Sequence, residues 1–154
     1  MAGDLIYAYR VMRLPLLDAG GAQIGSIDDL VVVPGALGQR PRVVGMVATS
    51  QHRRIFVNAS SISTLDGSGA RLKSWAIDLH PFKVRPGETL LGESILDRRV
   101  PGGGRISDVG LLEGGDGNTR WWEIDKVRVA HRGTLGRRTT YRLVDWTSVP
   151  NLVD

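Results

Sequence analysis

The feature that most constrains the fold of this chain is an internal repeat. The segment 17–32 matches the segment 96–111 at a constant offset of 79 residues. The six matches are Leu17 with Leu96, Asp18 with Asp97, Gly25 with Gly104, Ile27 with Ile106, Asp29 with Asp108, and Leu30 with Val109. Self-similarity at a fixed spacing indicates repeated structural units. The sequence therefore predicts two related units of comparable size.

Glycine and proline divide the chain into short β-branched runs. There are 20 Gly and 7 Pro in 154 residues, a pattern typical of many turns between strands, so we predict an all-β fold. The first unit is expected to span residues 1–77 and the second 93–146. Residues 78–92 form a linker with one helical turn, and 147–154 form a short tail. Units of about 65–75 residues have small cores, so the two should pack on each other or close each other's sheets.

The hydrophobic pattern of the second unit predicts an irregular strand. Trp122 and Ile124 share one parity in the sequence, whereas Val127 and Val129 share the other. Successive residues of a strand point to opposite faces. A bulge near Asp125-Lys126 would therefore bring all four apolar side chains to one face.

Composition restricts the compartment and the chemistry of the protein. With 0 Cys, the chain has no disulfide and no thiolate nucleophile or ligand. The N-terminus lacks the basic and apolar regions of a signal peptide. The longest apolar runs are far shorter than the roughly 20 residues that span a bilayer. We therefore expect a cytoplasmic protein with no membrane insertion.

The residues that could support catalysis or cofactor binding have simpler structural interpretations. Asp28-Asp29 and Asp108 could act in acid–base chemistry or bind a cation. Repetition of the aspartate in different surroundings instead favours carboxylates that bind nearby backbone N–H groups. The three histidines are isolated, and the glycine clusters lie between predicted strands, where hairpin turns explain them. We predict no catalytic residue, no metal site and no cofactor, hence no enzyme.

Arginine pairs and a tryptophan pair are the candidate binding residues. The formal net charge is +4, which favours an acidic partner without identifying it. The candidate partner-binding residues are Arg53, Arg54, Arg98, Arg99, Trp121, Trp122, Arg137 and Arg138. Arginine with an exposed indole could bind RNA. However, the arginines are scattered, and adjacent tryptophans of one strand point to opposite faces, so at least one should be core.

The order of these segments resembles the PRC-barrel domain family. The first half carries the resemblance in the segments 25–32, 42–47 and 54–57. The second half, in the segments 88–100, 122–129 and 142–146, is similar to the N-terminal region of certain bacterial proteins. In those proteins, PRC-barrel units precede an MgtE-type magnesium-transporter intracellular domain and CBS domains. The resemblance implies two tandem small PRC-type β-barrels with short helical turns in the linker and tail.

Two functions follow from this resemblance as expectations. The first is a non-enzymatic interaction and regulatory module associated with magnesium-transporter-like proteins. Its partner would be a membrane transporter, a regulatory complex or a second copy of the chain. Such a module would be cytoplasmic and would reach the membrane surface through its partner. The alternative is an RNA- or ribosome-associated factor similar to the PRC-barrel of the small-subunit maturation factor.

Overall fold

A computed structural model describes residues 5–74, 80–116, 119–135 and 137–153. The chain is mostly β-structure and its strands form a curled sheet, which confirms the predicted all-β class. The strands are β1 (Ile6–Tyr7), β2 (Pro15–Leu17), β3 (Gln23–Val33), β4 (Arg42–Ser50), β5 (Arg53–Asn58), β6 (Ile62–Asp66), β7 (Gly69–Leu72), β8 (His80–Pro81), β9 (Thr89–Leu90), β10 (Arg105–Asp116), β11 (Thr119–His131) and β12 (Thr140–Asp145). The helical turns are α1 (Ala8–Val11) and α2 (Leu91–Ser94), with 3₁₀ turns at Ala59–Ser61 and Trp146–Ser148.

One continuous sheet crosses both repeats. Strands β3, β4 and β5 form the first half-sheet, and β10, β11 and β12 form the second half-sheet. The two half-sheets join where β4 pairs with β11, with Val43 opposite Trp122 and Arg42 opposite Glu123. The joined strands curl into a half-barrel. The division into two separate barrels and the bounds of the two domains remain predictions from the sequence.

The β-bulges occur at equivalent positions in the two half-sheets. Asp28 is an extra residue where β3 pairs with β4, and Ser107 is its counterpart where β10 pairs with β11. A second pair of bulges places Val44 on β4 and Asp125 on β11 as extra residues. The bulge predicted near Asp125 is confirmed. It brings the apolar residues on both sides of it to one buried face, as the change of parity requires.

The repeated Leu-Asp dipeptide does not occupy equivalent positions. The Ile27 N–H donates to the Leu14 carbonyl, and the equivalent Ile106 N–H donates to the Arg98 carbonyl, both at 2.9 Å. Leu14 therefore corresponds to Arg98. The first Leu-Asp dipeptide lies in β2 and its following turn, whereas the second follows α2 directly. Four of the six sequence matches, from Gly25 with Gly104 to Leu30 with Val109, are structurally equivalent. The Leu-Asp match is wrong because the connecting turns differ in length.

Each half-sheet gains one short strand from the segment that precedes the other half-sheet in the sequence. Strand β1, at the start of the chain, pairs with β10 of the second half-sheet. Strand β9, which leads into the second repeat, pairs with β3 of the first half-sheet. The partners are Ile6 with Leu111, Tyr7 with Gly110, Leu90 with Val31, and Thr89 with Val32. The two repeats therefore exchange equivalent segments.

The exchange is fixed by the two repeated aspartates. A carboxylate oxygen of Asp29 accepts the N–H of the next residue at 2.7 Å and the N–H of Gly92, in α2, at 2.7 Å. Asp108 accepts the next N–H and that of Tyr9, in α1, each at 2.9 Å. A side chain at position 92 would crowd the carboxylate, because a Cβ there would lie 3.2 Å from both Asp29 oxygens. Each aspartate thus satisfies a free N–H of the other repeat's helical turn. The bond to the next residue is the nearby backbone contact that the sequence predicts, whereas the bond to the other repeat was not predicted.

Burial of these two carboxyls gives the protein an unusual pH dependence. Desolvation raises the pKa of Asp29 and of Asp108, and it outweighs the lowering of the pKa by backbone N–H donors. The folded state therefore binds more protons than the unfolded chain as the pH falls from neutral toward about 4. The contribution of both groups to the free energy of unfolding then rises as the pH falls.

The variant Asp29→Asn/Asp108→Asn tests this dependence, because it removes both titrations and keeps an acceptor oxygen at each site. We expect the stability of the variant relative to the parent protein to decrease as the pH is lowered from 7 to 4. Urea denaturation at several pH values measures the difference. A difference that is constant or increases over that range contradicts the predicted direction.

A shared hydrophobic core underlies both half-sheets. It contains residues of β3 and β4 together with residues of β10 and β11, and α1 and α2 each contribute to it. Its largest fully buried side chain is Trp122, which is 2 % exposed. The packing of the two repeats against each other, expected from their small size, is present in this shared core.

Candidate anion-binding cleft

An open cleft of about 820 Å³ lies at one end of the second half-sheet. It is bordered by the turn that leads into β10 and by the loop that follows β11. The charged residues that line it are Asp97, Arg99, Arg105 and Arg132. Three guanidinium groups against one carboxylate give the cleft a net positive charge.

Two of these arginines are cross-strand neighbours. Arg99 and Arg105 form an antiparallel bridge, and both side chains are exposed. Like charges directly opposite each other on neighbouring strands are destabilising. The nearest compensating carboxylate is Asp97, 3.7 Å from Arg105, but it is 84 % exposed and therefore well screened by solvent. An anion bound between the two guanidinium groups would relieve their repulsion.

A glycine turn sets the geometry of this bridge. Gly102, Gly103 and Gly104 have φ angles of 86, 96 and 96°, a region that residues with a Cβ rarely adopt. At Gly104, a Cβ would lie 2.7 Å from a methyl group of Val129 and 2.9 Å from the Ala130 carbonyl. The turn is therefore restricted to glycine by conformation and by space. This confirms the interpretation of the triple glycine as a hairpin turn.

The predicted pair Arg98-Arg99 divides between two roles. The Arg98 guanidinium is partly buried and donates to the carbonyl of Asn151 at 2.9 Å and to that of Leu152. Its Nε has no hydrogen-bond partner among the described residues. Arg98 therefore holds the C-terminal tail against the second half-sheet, and Arg99 is the member of the pair that reaches the cleft.

The remaining arginine pairs lie on two different hairpins. Arg137 and Arg138 are exposed on the loop between β11 and β12, the loop that supplies Arg132 to the cleft. Arg53 and Arg54 are on β5, in the first half-sheet, and the Arg54 guanidinium lies 5.5 Å from the centre of the Phe82 ring. Neither pair lines the cleft: Arg137 and Arg138 share a loop with Arg132, and Arg53 and Arg54 belong to the other repeat.

The two adjacent tryptophans point to opposite faces, as expected for a strand. Trp122 is in the core. The Trp121 ring is partly exposed and lies under the Arg42 guanidinium, 4.3 Å from the ring centre. Its indole N–H donates to a Glu123 oxygen at 2.9 Å. One face and the polar edge of the exposed indole are thus occupied by neighbours within the same chain.

The cleft is suited to a carboxylate or phosphate group. Guanidinium groups donate paired hydrogen bonds to the oxygens of such anions. The arginine pairs of the sequence predict Arg99 as a binding residue but not Arg105 or Arg132, although Arg105 directly follows the triple glycine. Among the residues that the structure describes, no group of three or more His, Asp or Glu side chains is placed to hold a metal ion.

Comparison of the chain with family models and with curated proteins found no match. Within the described ranges, no helix is long and apolar enough to cross a membrane.

Proposed function

We propose that the protein is a non-enzymatic interaction module whose basic cleft binds an acidic segment of a protein partner. The observation that supports this function is the cross-strand pairing of Arg99 with Arg105, where the carboxylate that lines the cleft, Asp97, is 84 % exposed. The net positive charge of the chain acts in the same direction, because it increases the rate of encounter with acidic surfaces.

The resemblance to PRC-barrel proteins supports a more specific form of this proposal. In that form, the chain is a member of the family and regulates a magnesium-transporter-like protein. It is cytoplasmic and reaches the membrane surface through that partner. The curled all-β sheet is compatible with this assignment, and the repeat of β3–β5 in β10–β12 supports a tandem origin.

An acidic protein segment fits the site better than RNA, the alternative from the sequence. Sequence-tolerant binding of single-stranded RNA relies on aromatic side chains that stack on bases. Trp122 is buried, and Arg42 covers one face of Trp121. The structure therefore provides guanidinium groups at the cleft without presenting this tryptophan pair as a stacking platform.

Charge reversal in the cleft tests the proposed function. The probe is a fluorescein-labelled decapeptide of alternating glutamate and serine, titrated by fluorescence anisotropy at low salt. We expect Arg99→Glu/Arg105→Glu to weaken binding at least about tenfold, because each exchange replaces attraction with repulsion. The matched control is Arg53→Glu/Arg54→Glu, which changes the net charge equally in the other repeat and should leave the affinity within about twofold.

Three results would contradict the proposal. Equal weakening in both variants means that net charge and not the cleft determines binding. No detectable binding of the peptide removes the cleft as an acidic-segment site. Tighter binding of a labelled RNA of the same length, lost in the cleft variant, assigns the cleft to RNA. A purified MgtE-type intracellular domain tests the specific form, which predicts binding that the cleft variant loses.

A further inference from the structure

The two half-sheets differ in what covers their outer edges. In the first half-sheet, β8 pairs antiparallel with β5 through Ile55 and Phe56. The pairing extends one residue further, since the Phe82 N–H donates to the Arg54 carbonyl at 3.0 Å. A short extended segment of the chain therefore adds a strand to the outer edge of β5.

Strand β12 is the counterpart of β5. It pairs with β11 as β5 pairs with β4, and each is followed directly by a 3₁₀ turn. In this equivalence, Tyr141, Arg142 and Leu143 correspond to Arg54, Ile55 and Phe56. Within the part of the chain that the structure describes, β12 pairs with β11 and with no other strand. Its outer edge is thus open at the position where β5 carries β8.

The sheet faces beside these two edges also differ, because the face of the first half-sheet is covered and that of the second forms a groove. In the first half-sheet, Phe82 and Phe56 pack against a small apolar cluster of Val31, Val47 and Leu90. The segment that forms the added strand therefore also supplies an aromatic ring to this face. Strand pairing and ring packing act together there.

The equivalent space in the second half-sheet is a groove. Its volume is about 330 Å³, and it is lined by Tyr7, Arg128, Tyr141, Arg142 and Leu143. Tyr141 is 54 % exposed and Leu143 is 49 % exposed. Tyr7 pairs with Gly110 of β10, and Leu90 pairs with the equivalent residue of β3, Val31. Tyr7 therefore occupies in the second repeat the position that Leu90 has in the first. The groove is thus lined by Tyr7, Tyr141 and Leu143 together with two arginines, on the side of the sheet that Phe82 covers in the first repeat.

Charge distinguishes this groove from its counterpart. Arg128 and Arg142 replace the apolar residues Val47 and Ile55. Arg128 lies over the Tyr141 ring at 4.2 Å and is opposite Asp108, whose carboxylate lies close enough to interact with it. Among the described residues, no carboxylate forms an ion pair with Arg142. The open edge is therefore basic and complementary to an acidic side chain.

We propose that the outer edge of β12 binds an extended segment of a protein partner as an added antiparallel strand. The segment carries an aromatic side chain, which packs on Leu143 and Tyr7, and a neighbouring carboxylate, which pairs with Arg142. Main-chain hydrogen bonds supply affinity in this mode of recognition, and side-chain pockets supply specificity. The chain's own residues 80–82 show that the repeat accepts such a strand. This site uses other residues than the basic cleft, so either can fail alone.

A short peptide tests the edge directly. The probe is a fluorescein-labelled hexapeptide with a central Glu-Phe pair flanked by valine and threonine, titrated by fluorescence anisotropy. A second probe carries N-methyl groups on the backbone nitrogens that would face β12, and a third carries them on the alternate nitrogens. We expect the second probe to bind at least about tenfold more weakly than the first, and the third to bind within about twofold of the first, because only one set of N–H groups joins the sheet.

Protein variants locate the site. We expect Arg142→Glu to weaken binding of the unmethylated hexapeptide at least about tenfold, whereas Arg99→Glu/Arg105→Glu, in the cleft, should leave it within about twofold. Circular dichroism melting checks that each variant is folded. Insensitivity to N-methylation, or loss of binding in the cleft variant instead, overturns the proposal. Sedimentation that shows a dimer dispersed by Arg142→Glu also overturns it, because the edge then pairs with a second copy.

Discussion

Replacement of Trp122 by alanine should lower the free energy of unfolding by about 3–5 kcal/mol, the range found when a large aromatic side chain is removed from a core. Among the described residues, Trp122 is the largest fully buried side chain. It also lies opposite Val43 at the point where the two half-sheets join. The cavity would therefore open in the core beside the pairing that connects the repeats. Urea denaturation followed by circular dichroism measures the loss.

The adjacent tryptophan provides the matched control. Trp121→Ala removes a side chain of the same size from the other face of β11. It loses the contact with Arg42 and a hydrogen bond to Glu123, so we expect a destabilisation of about 1 kcal/mol. Similar losses in the two variants would contradict the assignment of Trp122 alone to the shared core.

Removal of either repeated carboxylate should be the next most damaging change. Asp29→Ala leaves the N–H groups of Leu30 and Gly92 without their acceptor, and Leu30 is fully buried. An unsatisfied buried donor costs about 1–3 kcal/mol, and a lost helix cap about 1 kcal/mol. We expect a destabilisation of about 2–3 kcal/mol in urea denaturation, and a similar value for Asp108→Ala.

Two variants separate this effect from a general loss of charge. Asp28→Ala changes the neighbouring exposed residue, whose carboxylate accepts a hydrogen bond from the Thr49 hydroxyl at 2.5 Å. It should lose less than about 1 kcal/mol. Asp29→Asn keeps an acceptor oxygen and should retain most of the stability that Asp29→Ala loses. If Asp28→Ala is as damaging as Asp29→Ala, the capping role is disproved.

The sequence was sufficient for features that depend on local pattern. Glycine and proline between β-branched runs predicted the strands, and the change of parity around Asp125 predicted a bulge that the register shows. The repetition of Asp29 as Asp108 predicted backbone hydrogen bonds. Each of these signals reflects a short-range rule of side-chain direction or turn geometry.

The exchange of segments between repeats could not be predicted in the same way. Strands β1 and β9 have two residues each, too few to show an alternating pattern. Their partners lie far along the chain. The repeated Leu-Asp dipeptide was misleading, since one copy follows a strand and the other follows a helical turn, and a constant offset in sequence does not reveal a difference in turn length.

The candidate cleft was predicted only in part. Arg99 was identified because it belongs to a dipeptide of like charge, a signal that depends on sequence neighbours. Arg105 and Arg132 are single arginines, and only strand pairing and the β11–β12 loop bring them beside Arg99. Arg98 belongs to the same arginine dipeptide as Arg99, but it binds the C-terminal tail and does not line the cleft. When a site is assembled from separate strands, its residues can be identified only after the fold is known.

The reciprocal exchange of β1 and β9 has a consequence for synthesis on the ribosome. The segment that completes the first half-sheet, Thr89–Ser94, is made after residues 23–58. The earlier segment Ile6–Val11 must wait for β10 at Arg105–Asp116. Contacts so distant along the chain raise the contact order and slow folding. The nascent first repeat would therefore expose unpaired strand edges until β9 and β10 have been translated, the interval in which a chaperone protects against aggregation.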